Sequence, residues 1–346
     1  MRLDPKSAPA FINRGVAYER KGDMDRSIAD HSEAIRLDPN NALASSNRGI
    51  AYAKKGDNDR AIADFNEAIR LDPKHVPAFT NRGIVYAKRG DNDRALADYS
   101  EAIRLDPNNA NAFGGRGLAY MRKGDNDQAI ADFNEAIRFN PKDAIAFANR
   151  GIAYANKGDN DRALADYNEA IRLNPNNASA FGGRGLAYMR KGENERAIAD
   201  FNEAIRLNPK DAIAFANRGI VYAKRGDNDR ALADYSQAIR LNPKDANSLY
   251  NRGVIYTNKG DNDRAFADYN EAIRLNPNYA IALGNRGVIY ARKGDNNRAL
   301  ADYNEAIRLD PKSAINLCNR GRLKLRMNDR SGNADVTKAR QLGACR

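Results

Sequence analysis

The sequence contains no tryptophan, two histidines and two cysteines among its 346 residues. Cys318 and Cys345 cannot build a disulfide framework, so the sequence gives no sign of an oxidising compartment and favours a cytoplasmic location. No apolar run is long enough to span a bilayer, so we expect no membrane partner. The net charge of +12 permits an acidic partner but does not require one.

The few reactive side chains also argue against catalysis. His31 falls at a core position and His75 in a loop, and neither has cysteines or carboxylates at metal-ligand spacing. The glycine-rich phrases at Gly115 and Gly183 lie inside a helical pattern, which does not suit a phosphate-binding loop between strand and helix. We therefore expect no enzyme activity, no metal and no cofactor.

One phrase recurs through the chain and has the form Asn-Arg-Gly-Ile-Ala-Tyr at residues 149–154. Its glycine returns every 34 residues, at Gly15, Gly49, Gly83, Gly117, Gly151, Gly185, Gly219, Gly253, Gly287 and Gly321. A fixed period of this length is typical of repeat arrays, in which each unit contacts only its neighbours. The length alone would suggest two or three globular domains, but the period predicts one array.

Each period predicts two helices. In residues 144–177, apolar residues three and four positions apart predict a first helix that ends at Gly158, where a left-handed cap is suited. Asp159 is placed to cap a second helix, and Asn174 before Pro175 is placed to end it. Two helices joined by a short turn form a helical hairpin.

The hairpin carries a recurring set of side chains, which in this repeat are Phe147, Gly151, Tyr154, Ala163, Tyr167, Ala170 and Pro175. This set resembles the signature of the tetratricopeptide repeat, and the resemblance covers essentially the whole chain. It implies an all-α solenoid of stacked helix-turn-helix hairpins that forms a right-handed superhelix, with the first helices on the concave face.

The resemblance also sets the expected boundaries. Nine repeats are expected at residues 8–41, 42–75, 76–109, 110–143, 144–177, 178–211, 212–245, 246–279 and 280–313. A degenerate tenth repeat with a capping helix is expected at 314–346. Residues 1–7 resemble the tail of an upstream repeat, so we expect the chain to begin inside a longer protein.

One departure from the family pattern is systematic. The family usually has leucine before the glycine, whereas this chain has arginine in every repeat, as at Arg150. Antiparallel pairing would place Arg150 opposite Asp166, which predicts a partly buried ion pair in every hairpin, and Asp335 falls opposite Arg320 in the tenth repeat. We also expect Gly151 to allow close approach of the two helices opposite Ala163.

The face of the first helices away from the core carries a recurring asparagine. It occupies Asn13, Asn47, Asn81, Asn149, Asn217, Asn251, Asn285 and Asn319. An amide both donates and accepts, so this ladder could hold the backbone of an extended peptide. It resembles the asparagine ladder in the superhelix of O-linked N-acetylglucosamine transferase. A solvated polar residue, a tie between neighbouring first helices, or simple duplication would also explain it.

Two further columns flank the ladder. An apolar floor runs through Val16, Ile50, Ile84, Leu118, Ile152, Leu186, Ile220, Val254 and Val288. A basic rail runs through Arg20, Lys54, Lys88, Arg122, Arg190, Lys224 and Arg292, where helix-dipole compensation is an alternative explanation. The ladder is interrupted at Gly115 and Gly183, and Met121 and Met189 accompany these gaps, which predicts two roomier pockets or only a local weakening of the helix.

These patterns favour a scaffold that binds an extended protein or peptide segment, with an acidic segment permitted. End-to-end self-association and a substrate-reading role beside a missing catalytic domain stay open. Nucleic-acid binding is disfavoured, because arginines of the second helices have carboxylates three or four residues away, as in Glu169 and Arg172. The predicted groove also lacks an exposed row of aromatic side chains for base stacking.

Overall fold

The computed structural model describes residues 6–345. These residues form twenty helices and no strand. The first helices of the hairpins are α1 (Ala8–Arg20), α3 (Ala42–Lys55), α5 (Val76–Lys88), α7 (Ala110–Arg122), α9 (Ala144–Asn156), α11 (Ala178–Lys191), α13 (Ala212–Lys224), α15 (Ala246–Asn258), α17 (Ala280–Arg292) and α19 (Ala314–Arg326). The second helices are α2 (Met24–Leu37), α4 (Asn58–Leu71), α6 (Asn92–Leu105), α8 (Asn126–Phe139), α10 (Asn160–Leu173), α12 (Asn194–Leu207), α14 (Asn228–Leu241), α16 (Asn262–Leu275), α18 (Asn296–Leu309) and α20 (Gly332–Gln341). The predicted all-α fold of helical hairpins is confirmed.

The helix ends follow the predicted capping. The Asp159 carboxylate accepts a hydrogen bond of 3.1 Å from the backbone N–H of Arg162 and so caps α10. Gly158 has a φ of +82°, a left-handed conformation that glycine adopts without a Cβ penalty. The C-cap of α10 is Asn174, whose φ of −138° leaves the helical region before Pro175.

The chain divides into two compact units, of which the first ends at Ala187 and the second begins at Tyr188. Within each unit the helices alternate along a solenoid, and each hairpin packs on the next. Consecutive first helices also contact each other: α1 with α3, α3 with α5, α5 with α7, α7 with α9, α13 with α15 and α17 with α19. Consecutive second helices make no comparable contacts in the described residues, so the first helices line the inner face of each unit.

The repeated glycine accommodates an aromatic ring. A Cβ on Gly151 would lie 2.9 Å from Cε1 of Tyr167, a ring that is only 2 % exposed. The three nearest atoms all belong to Tyr167, so its ring is the group that limits the size of the residue at position 151, and the expected position of Gly151 opposite Ala163 stays a prediction. Any larger residue at position 151 would displace the buried ring of the second helix.

The predicted ion pair is confirmed. Arg150 donates from Nε and Nη2 to the two carboxylate oxygens of Asp166, at 2.8 and 2.7 Å. Asp166 is 5 % exposed. The same bidentate pair recurs in Arg14–Asp30, Arg48–Asp64, Arg82–Asp98, Arg116–Asp132, Arg218–Asp234, Arg252–Asp268, Arg286–Asp302 and Arg320–Asp335.

The same arginine also joins neighbouring hairpins, which the sequence analysis missed. Arg150 donates from Nη1 to Oδ1 of Asn134 on the preceding second helix, at 2.7 Å. Equivalent bonds are Arg48–Ser32, Arg82–Asn66, Arg116–Ser100, Arg184–Asn168, Arg218–Asn202, Arg252–Ser236, Arg286–Asn270 and Arg320–Asn304. Arginine therefore replaces the leucine of the family pattern with a side chain that holds three helices together.

The C-terminal hairpin has an additional link. Cys318 on α19 forms a disulfide with Cys345, and their Cα atoms lie 5.5 Å apart. The repeat pattern does not predict this bond, because Cys345 lies beyond the end of α20. The closing helix α20 ends before Gly343, whose φ is +89°, as expected for a glycine cap. The predicted upstream-repeat tail falls mainly on residues 1–5, which lie outside the described residues.

Candidate functional site

Six predicted groove residues line one pocket on the inner face of the first unit. The pocket has a volume of about 520 Å³ and lies between α5 and α7. Its lining includes Asn81, Ile84, Lys88, Gly115, Leu118 and Arg122. The ladder, the floor, the rail and the first ladder gap therefore meet at one place.

The chemistry of this pocket is mixed. Ile84 is 39 % exposed, which leaves apolar surface open to a ligand. Lys88 and Arg122 are exposed beside it, and Arg122 donates from Nη1 to the backbone carbonyl of Ala87 at 2.9 Å. The side chain of Tyr99 contributes to the lining, and burial raises the pKa of its hydroxyl to about 12. The hydroxyl therefore stays protonated at neutral pH and can donate a hydrogen bond.

At each glycine gap a tyrosine ring of the preceding second helix fills the space of the missing side chain, which sequence reasoning missed. A Cβ on Gly115 would lie 2.6 Å from both Cε1 and Cζ of Tyr99. A Cβ on Gly183 would lie 2.6 Å from Cζ of Tyr167. Met121 does not line the pocket; it is half-buried and packs beside Phe133. Met121 therefore does not widen this pocket, and a part for it in peptide binding stays a prediction.

The ladder amides differ in their availability. Asn81 donates from Nδ2 to the carbonyl of Pro77 in its own helix, at 2.8 Å. Asn285 lies 3.4 Å from the hydroxyls of both Tyr250 and Tyr269 and donates to them. The remaining ladder amides make no side-chain hydrogen bond to another residue in 6–345, and they are those of Asn13, Asn47, Asn149, Asn217, Asn251 and Asn319. These six are wholly or partly exposed.

The remaining predicted groove residues lie along the inner faces of the two units. Ile152 and Leu186 are half-buried in the first unit, and Ile152 packs against the core around Tyr167. Met189 and Ile220 are half-buried in the second unit. Arg190 and Lys224 are exposed there. The floor therefore combines core packing with a surface that a ligand can reach.

The second unit has a pocket at the same position of its repeats. Its volume is about 470 Å³, and it lies between α17 and α19 with Tyr303 in its lining. Asn319 and Val288 stand where Gly115 and Ile84 stand in the first pocket. The same position of the inner face thus forms a pocket in both units, with different side chains in its lining.

Within residues 6–345, no group of three or more histidine, cysteine or acidic side chains is arranged to hold a metal ion. None of the helices is both long enough and apolar enough to cross a membrane.

Helical hairpins that stack and expose a side-chain-lined inner face define the class of repeat scaffolds that bind other proteins. The tetratricopeptide repeat model matches residues 12–76, 80–144, 149–212, 217–280 and 258–314. The chain belongs to the tetratricopeptide repeat family. No curated protein is similar enough to match it.

Solved structures share the fold. A tetratricopeptide repeat protein from Parabacteroides merdae is 23 % identical with a TM-score of 0.55, and the match covers 75 % of this chain and 98 % of that one. The Cut9–Hcn1 hetero-tetramer of the APC/C is 16 % identical with a TM-score of 0.61, covering 91 % and 76 %. PilF of Pseudomonas aeruginosa is 20 % identical with a TM-score of 0.54, covering 58 % and 92 %. At these identities the likeness concerns the fold alone.

Proposed function

We propose that this protein is a non-catalytic scaffold that binds an extended segment of a partner protein along the inner face of its first helices. The pocket between α5 and α7 carries the proposal, because it brings an amide, apolar surface and two cations together. The exposed Lys88 and Arg122 favour a segment with an acidic residue beside an apolar one.

The ladder and the pocket should contribute differently to the free energy of peptide binding. A hydrogen bond to an available amide contributes a net of about 0.5–1.5 kcal/mol. Ordering a flexible peptide costs about 1–2 kcal/mol per residue, so the ladder alone would roughly cancel that cost. Burial of one aliphatic side chain of the partner against Ile84 and Leu118 would add about 1.5–3 kcal/mol. The apolar pockets therefore supply affinity, and the ladder fixes the path and direction of the backbone.

A peptide-array screen with the intact chain tests the proposal. We expect the double variant Asn217→Ala with Asn251→Ala to weaken peptide binding without lowering the melting temperature, because neither side-chain amide has a hydrogen-bond partner within residues 6–345. The matched control replaces Asn108 and Asn176, two exposed residues of the turns between hairpins, by alanine. Equal binding by the groove variant and the control would remove the ladder from the mechanism. End-to-end self-association stays an open alternative, which light scattering would test. Nucleic-acid binding stays the disfavoured alternative, which RNA titration would test.

A further inference from the structure

A disulfide holds the tail of the chain (residues 342–345) against the last hairpin. Cys318 lies on α19, Cys345 follows the end of α20, and the bond joins the two elements. Cys345 is only 8 % exposed and belongs to one apolar cluster with Leu317 and Ala339. The tail therefore covers apolar side chains of both helices of this hairpin.

The tail takes the place of the first helix of a further repeat. In the hairpin of α7 and α8, Phe113 and Ala136 form a cluster that Ala146 of the next first helix completes. Leu317 and Ala339 have the positions of Phe113 and Ala136 in the last hairpin, once its one missing residue is allowed for. The tail supplies the third member of the cluster. A surface that receives a first helix elsewhere in the array thus receives the tail here.

The disulfide links the tail to α19, whereas its hydrogen bonds to the hairpin are local. Leu342, Gly343 and Ala344 donate backbone hydrogen bonds to carbonyls of α20, at 3.1, 3.0 and 2.9 Å. Cys345 has a φ of +68°, a left-handed conformation that residues with a Cβ adopt at a cost. A disulfide opens or forms according to the redox state of its surroundings, so this covalent link is reversible.

The matching surface of a first helix is open on α1. In the other first helices one aliphatic residue packs towards the preceding second helix, as Val85 packs in one cluster with Phe65. This residue is at most 4 % exposed in each of them, namely Ala51, Val85, Ala119, Ala153, Ala187, Val221, Ile255, Ile289 and Leu323. Ala17 has this position in α1 and is exposed. Ala10, at the position of the buried Ala146, is partly exposed.

We propose that the disulfide controls head-to-tail association of this protein: reduction releases the tail, and the surface that it covered receives α1 of a second copy. Ala10 of the incoming helix takes the place of Cys345, and Ala17 packs on Val336, which holds the position of the aromatic ring in α20. Ala10 and Cys345 cannot occupy one place at once. The oxidised tail therefore excludes the second copy.

The reduction needs a dithiol as reductant. One of its thiolates attacks a sulfur of the disulfide and forms a mixed disulfide, and its second thiol then displaces the remaining cysteine. Two electrons and two protons pass from the dithiol to Cys318 and Cys345, which become thiols, while the reductant becomes a disulfide. These are the only cysteines of the sequence, so the reductant acts on this bond alone.

The array itself argues for a second copy as the occupant. The covered surface and the open surface of α1 are the two sides that join consecutive hairpins within the array, so the contact continues an interface that the chain already uses. Different surfaces of the two copies meet, and such a heterologous contact can repeat from copy to copy. One helix on one hairpin is a small interface, so we expect weak, concentration-dependent association.

The test measures the mass of the full chain by light scattering at about 1–300 µM, the range in which weak complexes form. The oxidised protein should keep the mass of one chain, and with dithiothreitol the mass should rise with concentration. Cys345→Ser should associate with and without dithiothreitol. Ala17→Glu, at an exposed position, should weaken the association of the reduced protein at least about tenfold, because the contact would bury an unpaired charge. Lys74→Gln changes the net charge equally on an exposed turn and should leave association unchanged.

Hydrogen exchange of residues 339–345 reports release of the tail directly and should be faster in the reduced protein. Unchanged exchange would show that the tail stays in place without the disulfide and would overturn the proposal. Equal association of the oxidised and reduced proteins, or a Cys345→Ser variant that stays a single chain, would also overturn it. Undiminished association of Ala17→Glu would place the contact elsewhere, and an equal loss in Lys74→Gln would assign it to net charge. A larger mass that forms under an oxidant and disappears with dithiothreitol would show disulfides between copies instead.

Discussion

The ring of Tyr99 occupies the space where a side chain on Gly115 would begin, with 2.6 Å between its Cε1 and the position of a Cβ. Tyr99 also lies against Gly83 of its own hairpin. One aromatic ring thus fills the space beside both the repeated glycine and the ladder gap, and this residue lines the pocket between α5 and α7. The ladder gap is therefore part of the packing between hairpins.

This relationship predicts that placing the ladder asparagine at position 115 lowers the stability of the protein. Gly115→Asn alone should destabilise the protein by about 1–3 kcal/mol, because the ring must move to admit a Cβ. Adding Tyr99→Phe should recover only a small part of that loss, because phenylalanine keeps the Cε1 and Cζ atoms that lie nearest to the added Cβ. Urea denaturation of the single and double variants provides the measurement. Full recovery in the double variant would show that the Tyr99 hydroxyl, 3.0 Å from the Cβ position, is the obstacle instead.

For the ion pair of Arg150 and Asp166, removal of one partner should cost more stability than removal of both. Asp166→Ala should cost about 3–5 kcal/mol, because it leaves a largely buried guanidinium without its anion. Combining it with Arg150→Leu should restore much of the stability. At Asp98, burial raises the pKa of the carboxyl above its ordinary value although Arg82 acts to lower it, which shows how far desolvation offsets the attraction.

A surface pair supplies the control for that experiment. Glu169 and Arg172 lie 2.5 Å apart on the surface of α10, with the side chain of Arg172 67 % and that of Glu169 32 % exposed, so Glu169→Ala should cost less than about 1 kcal/mol. Thermal unfolding of the three variants compares them. A small loss in Asp166→Ala, similar to that of Glu169→Ala, would mean that the buried pair neither stabilises the hairpin nor fixes its register.

Alanine substitution of two ladder asparagines should have opposite effects, one on stability and the other on peptide affinity. The Asn285 amide donates to Tyr250 and Tyr269, so Asn285→Ala should lower stability by about 1 kcal/mol and leave peptide affinity unchanged. The amide of Asn251 has no partner in the described residues, so Asn251→Ala should weaken peptide binding at unchanged stability. Melting temperature and anisotropy with one array-selected peptide measure both properties. Loss of affinity in Asn285→Ala would show that its tyrosine partners release the amide to a ligand.

Sequence reasoning predicted what the repeat register determines. The fixed period places Arg150 opposite Asp166 in every hairpin, and one missing residue in the last repeat still brings Asp335 to Arg320. Helix ends were predictable because capping is a local property of residues such as Asp159. The ladder, the floor and the rail were predictable because helical spacing places the residues of each on one face of the first helices.

Features that depend on distances between hairpins were not predictable. The Nη1 bond from Arg150 to Asn134 depends on how far one hairpin lies from the next. The use of Asn285 by two tyrosines depends on their side-chain conformations. The disulfide to Cys345 depends on the path of a tail that carries no repeat pattern. Tyr99 lies 16 residues before Gly115, but this spacing does not predict a ladder gap. Tyrosines of other repeats lie 16 residues before an asparagine.

His31 predicts a pH dependence of the first hairpin. It is fully buried where other repeats have phenylalanine or tyrosine, and neither ring nitrogen has a hydrogen-bond partner. Burial lowers the pKa of His31 below its ordinary value, Glu19 and Asp30 act to raise it, and Arg48 acts to lower it further. The unfolded chain therefore binds a proton more readily than the folded one. The stability contributed by neutral His31 is present above the ordinary pKa of about 6.5 and declines as the pH falls toward the lower folded value.

The experiment compares His31→Phe with its parent in a His75→Asn background, so that His31 is the sole histidine of the parent. His75 is removed because burial lowers its pKa too, and asparagine stands at its position in the next repeat, at Asn109. Phenylalanine fits the site, since Phe65 packs against Gly49 in the second repeat as His31 does against Gly15. His31→Phe should raise stability at neutral pH by about 1–3 kcal/mol, because it removes two unpaired buried nitrogens. The difference in stability between the two proteins should widen as the pH falls below 6.5. In that range the unfolded parent takes up a proton at His31, which favours its unfolding, whereas the phenylalanine variant has no such group. A gain that stays constant with pH would mean that the ring nitrogens reach solvent in the folded protein.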